Sequence, residues 1–316
     1  MAAFTTTASI VLPTFLIIAA GYLLRLTGIV DDDGCRKMNT VAFKVLIPTM
    51  VFSSIYRSNP ASITNVKLIA FAAVSITVTF GLLMAVIPLL ERDNARRGVM
   101  VQGIFRSSFV VLGLGLVTTM YPNGDLGATA MLSAVVAPLF NAYAVIALEV
   151  YHREDENQRI DMKRIAMGIV TNPLIIGSLL AMGLLLLGLR LPAVLEQAVE
   201  DVASAATPLA LLVAGASFRF GNIGDRKRQL AISCFGRLVA VPLLLVPVAV
   251  LLGFRGVELL TLLVLFAAPN AVSSHIMASN SGGDDQLAGQ IVVFSTCFSI
   301  FSLFGFLYVL LSMGLL

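Results

Sequence analysis

Residues 267–275 read Ala267-Ala268-Pro269-Asn270-Ala271-Val272-Ser273-Ser274-His275, a proline and four polar side chains inside the apolar run Glu258–Asn280. Pro269 has no amide hydrogen, so the carbonyl of Leu265 loses its helical donor and the helix kinks or breaks there. Inside a bilayer such a break survives only where it is buried in protein or lines a wet cavity. Two questions follow: whether the run spans a membrane, and whether a second segment answers it.

The chain has 316 residues, 58% hydrophobic and 12% charged, with a mean hydropathy of +0.94. A soluble domain carries about 25% charged residues, so this composition defines a polytopic membrane protein. Apolar runs occur at roughly Thr7–Thr27, Arg36–Ile55, Thr64–Leu90, Gly98–Tyr121, Ala128–Tyr151, Ile165–Gly188, Ala193–Phe218, Leu230–Leu252, Glu258–Asn280 and Leu287–Leu315. Runs of this length predict ten transmembrane helices and an all-α fold, because lipid forces backbone groups to pair within each segment. Little chain remains for a soluble domain, and no GxxxxGK[ST] phosphate loop occurs.

Basic residues set the direction. The odd-numbered connectors hold fourteen, among them Arg25, Arg96, Arg97, Arg226 and Arg228, while the even-numbered connectors hold four: Arg57, Lys67, Arg190 and Arg255. The positive-inside rule then places both termini outside the cytoplasm in a multi-pass protein of the cell (inner) membrane. The net charge of +3 belongs to these loops and implies no nucleic-acid partner. Cys35, Cys234 and Cys297 are scattered and form no metal signature, so neither a metal nor a cofactor is expected. Met1–Ser9 lacks the basic n-region of a cleavable signal.

At an offset of 160 residues Pro13 matches Pro173, Gly28 matches Gly188, Pro48 matches Pro208 and Asp125 matches Asp285. This maps span n onto span n+5, and an odd span number inverts the second copy. The expected organisation is a first five-helix repeat, 1–151, a cytoplasmic linker, 152–164, and a second inverted repeat, 165–316. Inverted repeats are typical of secondary transporters, with the binding site near the midplane. The fourth span answers the ninth, with Gly103-Ile104-Phe105-Arg106-Ser107-Ser108 and then Gly113-Leu114-Gly115. Broken helices 4 and 9 would cross, aiming half-helix amides at an anion.

Val11-Leu12-Pro13, Gly21-Tyr22-Leu23-Leu24 and Met38-Asn39-Thr40-Val41-Ala42-Phe43-Lys44-Val45-Leu46-Ile47-Pro48 resemble the opening of the auxin efflux carrier family. Ala268-Pro269-Asn270-Ala271-Val272-Ser273-Ser274, Gly282-Gly283-Asp284 and Ser295-Thr296 resemble its ninth and tenth helices. The resemblance implies ten helices in two inverted repeats, with helices 1, 2, 6 and 7 as scaffold and helices 3–5 and 8–10 as a moving domain. It also implies elevator-type transport of organic anions and a homodimer through the scaffold. Pro269 and Asn270 match the family's crossover proline and substrate-facing asparagine, and Lys44 matches a lysine near the substrate path. Ser108 stands where the family usually has an asparagine, and Gly115 near its usual proline. Span 3 carries no acidic residue.

Three basic residues fall inside spans, where a charge costs about 2.5–3.5 kcal/mol unless solvated or paired. Arg106 reads equally as a carboxylate clamp or as an arginine snorkelling to headgroups. Lys44 reads as cavity-lining, and Arg237 as snorkelling. Glu196 and Glu200 share a helical face and, with His275, are candidates for proton or sodium coupling; a solvated helix end is the plainer reading of the glutamates. Glu149 reads as interfacial. The expected function is a secondary or facilitative carrier of small carboxylates such as malonate, malate or auxin-like acids. Substrate would be bound by Asn270, Pro269, Ser273, Ser108, Ser107, Lys44 and Arg106. A sodium-coupled symporter of the bile acid type and a membrane ligand sensor remain as alternatives. The chain has no HExxH or GxSxG signature, and no enzyme is expected.

Overall fold

The computed structural model describes residues 2–57, 65–109, 116–117, 120–121, 127–151, 167, 170–218 and 224–316. Gly113, Gly115, Asp125 and the linker 152–164 lie outside them. The described residues form helices and no strands. They are α1 (Ala2–Leu26), α2 (Asp32–Val41), α3 (Ile47–Tyr56), α4 (Val66–Leu90), α5 (Asn94–Phe105), α6 (Gly127–Tyr151) and α7 (Pro173–Leu186). After these come α8 (Ala193–Ser204), α9 (Ala206–Ser217), α10 (Lys227–Phe235), α11 (Val241–Leu251), α12 (Gly256–Ala267), α13 (Ser273–Asn280) and α14 (Asp285–Ser312). Among the described residues five helical stretches are long and apolar enough to cross a membrane: Asp32–Tyr56, Val66–Leu90, Ala193–Ser217, Gly224–Leu251 and Asp285–Ser312.

Helix starts fall where short polar side chains replace missing intrahelical acceptors. Asp31, Asn65, Asp93, Asn172 and Asp284 accept from Gly34 N, Leu68 N, Ala95 N, Leu174 N and Leu287 N. These caps lengthen several helices beyond the apolar runs, α5 by four residues. Gly28 and Gly188, 160 positions apart, take φ of 74° and 65° and close α1 and α7, a conformation that suits glycine. Two π-helical turns interrupt the regular pitch, Ala42–Leu46 between α2 and α3 and Gly236–Ala240 between α10 and α11.

Polar contacts gather at two ends. At one, Asp284 meets Arg226 at 2.7 Å and Arg96 at 3.4 Å, while Gln229 donates to Glu91. At the other, Arg57 pairs with Glu200, Asn65 donates to Glu258, and Leu191 N donates to the Tyr56 hydroxyl. Between these ends the outer faces are apolar, with Leu89, Val194 and Leu251 more than four-fifths exposed, as suits contact with lipid.

Helix α1 packs on α9, α3 on α7 and α8, and α2 on α9. The α1–α9 seam is backbone against backbone: a Cβ on Gly215 would stand 1.9 Å from Ile18 O, and one on Gly21 2.2 Å from Leu212 O. Small residues permit this approach, which membrane helices use in place of a hydrophobic driving force. Helices α4, α5 and α6 pack together, as do α10–α14, and α5 joins the two groups through α10, α13 and α14. Gly98–Phe105 of α5 and Leu259–Ala267 of α12 are buried on every face. A helix apolar all round belongs at the centre of a bundle, and both of these end there.

Candidate functional site

Both central helices stop short. Helix α12 ends at Ala267, Ala268 turns extended with ψ of 151°, and helix resumes at Ser273. Proline disfavours the helical region for the residue before it, so Ala268 obeys Pro269. Helix α5 ends at Phe105, and Arg106 is extended with ψ of 129°. No proline stands there, so other contacts must hold it.

Those contacts come from across the molecule. Ser108 N donates to Pro269 O at 2.9 Å. The side-chain amide of Asn270 donates to Gly103 O at 2.8 Å and Gln102 O at 3.2 Å, and its backbone N–H donates to Ser295 Oγ. Gln102 Nε2 returns a bond to Ser274 O at 3.0 Å. The two breaks are thus tied to each other.

Arg237 completes the tie. It sits 1% exposed on the π-helical turn after α10, where Gly236 leaves room for the Ile104 side chain. Its Nε donates to Ala268 O and its Nη2 to Leu265 O, both at 2.7 Å, while Nη1 donates to Phe105 O at 3.1 Å and Ile104 O at 3.2 Å. One planar fork therefore caps the C-terminal carbonyls of both half-helices, where the helix dipole concentrates negative charge. The expectation that Arg237 snorkels is overturned, because carbonyls of its own fold solvate it. It also supplies the donor that Pro269 denies to Leu265.

A cavity of about 70 Å³ opens beside the crossing, lined by Ile47, Met50 and Val51 of α3 and by Arg106, Ser107 and Ser108 of the first break. Ala137, Phe140 and Asn141 of α6, Ala206, Thr207 and Ala210 of α9, and Ala271, Val272 and Ser273 of the second break complete it. Arg106 is 4% exposed; its Nη2 donates to Asn141 Oδ1 at 2.7 Å and its Nη1 lies on Met277 Sδ. Among the described residues no carboxylate pairs with it. The Ser107 hydroxyl is also buried without a partner among them.

Arg106, Ser107, Ser108 and Ser273 thus meet at one cavity, with Asn141 and Thr207 added by the fold. Six expected site residues stand elsewhere. Asn270 does not line the cavity, because both its amide hydrogens go to backbone carbonyls. Pro269 likewise sits behind the lining, and its carbonyl accepts from Ser108. Lys44 is exposed on the π-helical turn between α2 and α3, and the cavity does not include it. Glu200 pairs with Arg57, and Glu196 is half-buried on α8, both away from the crossing. His275 is 2% exposed, beyond the cavity wall. Asn141 was detectable as a lone amide in an apolar run beside Pro138; Thr207 carries no comparable signal.

A bundle whose central helices are interrupted face to face, beside a cavity holding an unpaired cation, has the build of a membrane transporter. Residues 7–307 match the model of the membrane transport protein family, and the chain belongs to that family, which is that of the auxin efflux carriers. It is 23% identical over 311 residues to an uncharacterized transporter of Methanothermobacter thermautotrophicus, covering 93% of this chain and 95% of that one. It is likewise 23% identical over 312 residues to a protein of Rhizobium meliloti named as a putative malonate transporter, covering 96% and 95%.

Proposed function

We propose that this chain carries small organic anions across the inner membrane, holding a carboxylate against Arg106 in the cavity beside the crossing. One observation carries the reading: a guanidinium buried on a cavity wall with no carboxylate partner among the described residues. A buried charge left uncompensated is costly, and a bound carboxylate would supply the missing partner with two parallel hydrogen bonds. Ser107, Ser108, Asn141 and Ser273 add donors nearby. The remaining lining is apolar and suits a short carbon skeleton.

The motion proposed is elevator-like. The tight seam of α1 with α9, and the packing of α3 on α7 and α8, support a fixed scaffold that provides one cavity wall. The crossing, tied by Asn270 and Arg237, supports a second body that shifts as a unit. The gathering of connector contacts at two ends supports ten spans in inverted repeats with both termini outside. The name of the Rhizobium relative makes malonate the first substrate to test.

Purified protein in liposomes should take up malonate saturably, and malonate should raise its melting temperature. Arg106→Gln should lower malonate affinity at least about tenfold, in line with about 1.5–3 kcal/mol for a charged hydrogen bond. Unchanged affinity and uptake in that variant would sink the assignment.

A further inference from the structure

Beside and behind α13 lies a second polar cluster that the carboxylate site does not use. Gln102 Oε1, Asn270 Oδ1, Ser274 Oγ, His275 Nδ1 and both polar atoms of Gln290 have no partner among the described residues. All five side chains are at most 2% exposed. They share one neighbourhood. Gln102 bonds Ser274 O, Asn270 bonds Gln102 O, and the His275 ring lies against α14, where a Cβ on Gly289 would come within 3.4 Å of it. Ile291 packs on Gly103. Gln290 lies on α14 between Gly289, which meets His275, and Ile291, which meets Gly103, and is itself 1% exposed. Orphaned groups this dense are what internal water satisfies.

His275 is the one member whose charge can change near neutral pH. The guanidiniums of Arg106 and Arg237 on the same crossing oppose added positive charge here, and a carboxylate bound at Arg106 relieves that opposition. We infer that His275 is the proton-carrying group of the transport cycle and that its proton and the carboxylate at Arg106 bind in a mutually favourable way. The inference rests on the carboxylate reading above. Ser273 lines the cavity and His275, two residues on, points from nearly the opposite face of α13. The two sites therefore stand roughly one helix diameter, about 10 Å, apart. Unit charges at that separation, at an effective dielectric of about 20, alter an equilibrium about tenfold. Linkage is reciprocal: the anion holds the proton, and the proton tightens the anion by the same factor. The proton comes from water on the entry side, occupies the imidazole nitrogen during passage, and leaves to water with the anion. No other bond is made or broken.

Other charges on the elements packed against α13 are Asp285 on α14, Arg96 and Arg97 on α5 with Arg106 at its end, Glu149 on α6, and Lys44 on the π-helical turn; α9 carries none. These charges are present with or without substrate, so the anion is the variable that acts on His275.

Two measurements test this. The chain has two histidines, so His152→Gln leaves His275 as the sole imidazole for nitrogen-15 NMR. Its signals should titrate, and Arg106→Gln should move the midpoint in the absence of any substrate. In liposomes, malonate uptake by the native chain should acidify the lumen, read by an entrapped pH dye, with affinity changing about tenfold across the titration. His275→Gln should take up malonate with about tenfold lower affinity and lose both acidification and pH dependence. His275 signals that neither titrate nor respond to Arg106→Gln overturn the inference, as does undiminished acidification by His275→Gln. Absence of malonate uptake in the native chain counts against the malonate reading alone, since the NMR arm still decides the histidine in a folded protein.

Discussion

The two interrupted helices reach the same shape by different means. The second break is covalent in origin: Pro269 removes a donor and sends Ala268 extended. The first contains no proline. Its Gly103, Ile104 and Phe105 carbonyls would ordinarily accept from Ser107, Ser108 and Phe109, but Asn270 and Arg237 occupy them instead. One break is written in its own residues, and the other is imposed by its neighbours. The first should therefore heal when those neighbours are removed, while the second should persist.

Arg237→Met gives the largest effect. It strands four buried carbonyls, and removing one partner of a buried charged network costs about 3–5 kcal/mol. The melting temperature should drop and malonate uptake should vanish. Hydrogen exchange should show new protection at Ser107 as α5 extends, with none appearing at Ala271 and Val272. Arg237→Lys should recover part of the stability, because it restores charge without the fork.

Asn270→Ala comes next, with a loss of about 1–3 kcal/mol for the carbonyl left unpaired at Gly103. The same one-sided protection should appear, more weakly. Protection gained equally in both breaks would mean that Asn270 opens the second as much as the first, and the contrast would fail.

Pro269→Ala is the mildest, about 1 kcal/mol or less. Alanine regains an N–H, yet Leu265 O is already held by Arg237, so Ala271 and Val272 should gain no protection. A continuous helix through them, seen by hydrogen exchange, would show that proline alone had kept that break open.

This contrast also explains what could be read from residue order. Pro269 and the orphaned Leu265 carbonyl follow from local bonding, as do the apolar runs and the capped helix starts. Arg106, Ser108 and Ser273 were legible as polar groups where lipid would reject them. Arg237 was not, because its partners lie 28 to 133 positions away, and only the folded chain reveals that backbone can solvate it. Lys44 was misplaced for a different reason. The π-helical turn adds a residue to one helical turn and rotates the faces that follow by about 100°, so regular periodicity points it the wrong way. Glu196 and Glu200 share a face, as their spacing predicts, but that spacing could not disclose Arg57 across the gap.

The two buried guanidiniums at the crossing have an electrical consequence. A unit charge traversing the whole bilayer exchanges about 2.3 kcal/mol with each 100 mV of potential. In the proposed elevator motion Arg106 and Arg237 ride on the tied crossing, so displacement of an empty carrier would be registered as current by a solid-supported membrane electrode. A bound monoanion would halve that signal, and a proton on His275 would restore it. The size of the current transient would thus count what the carrier holds on each stroke.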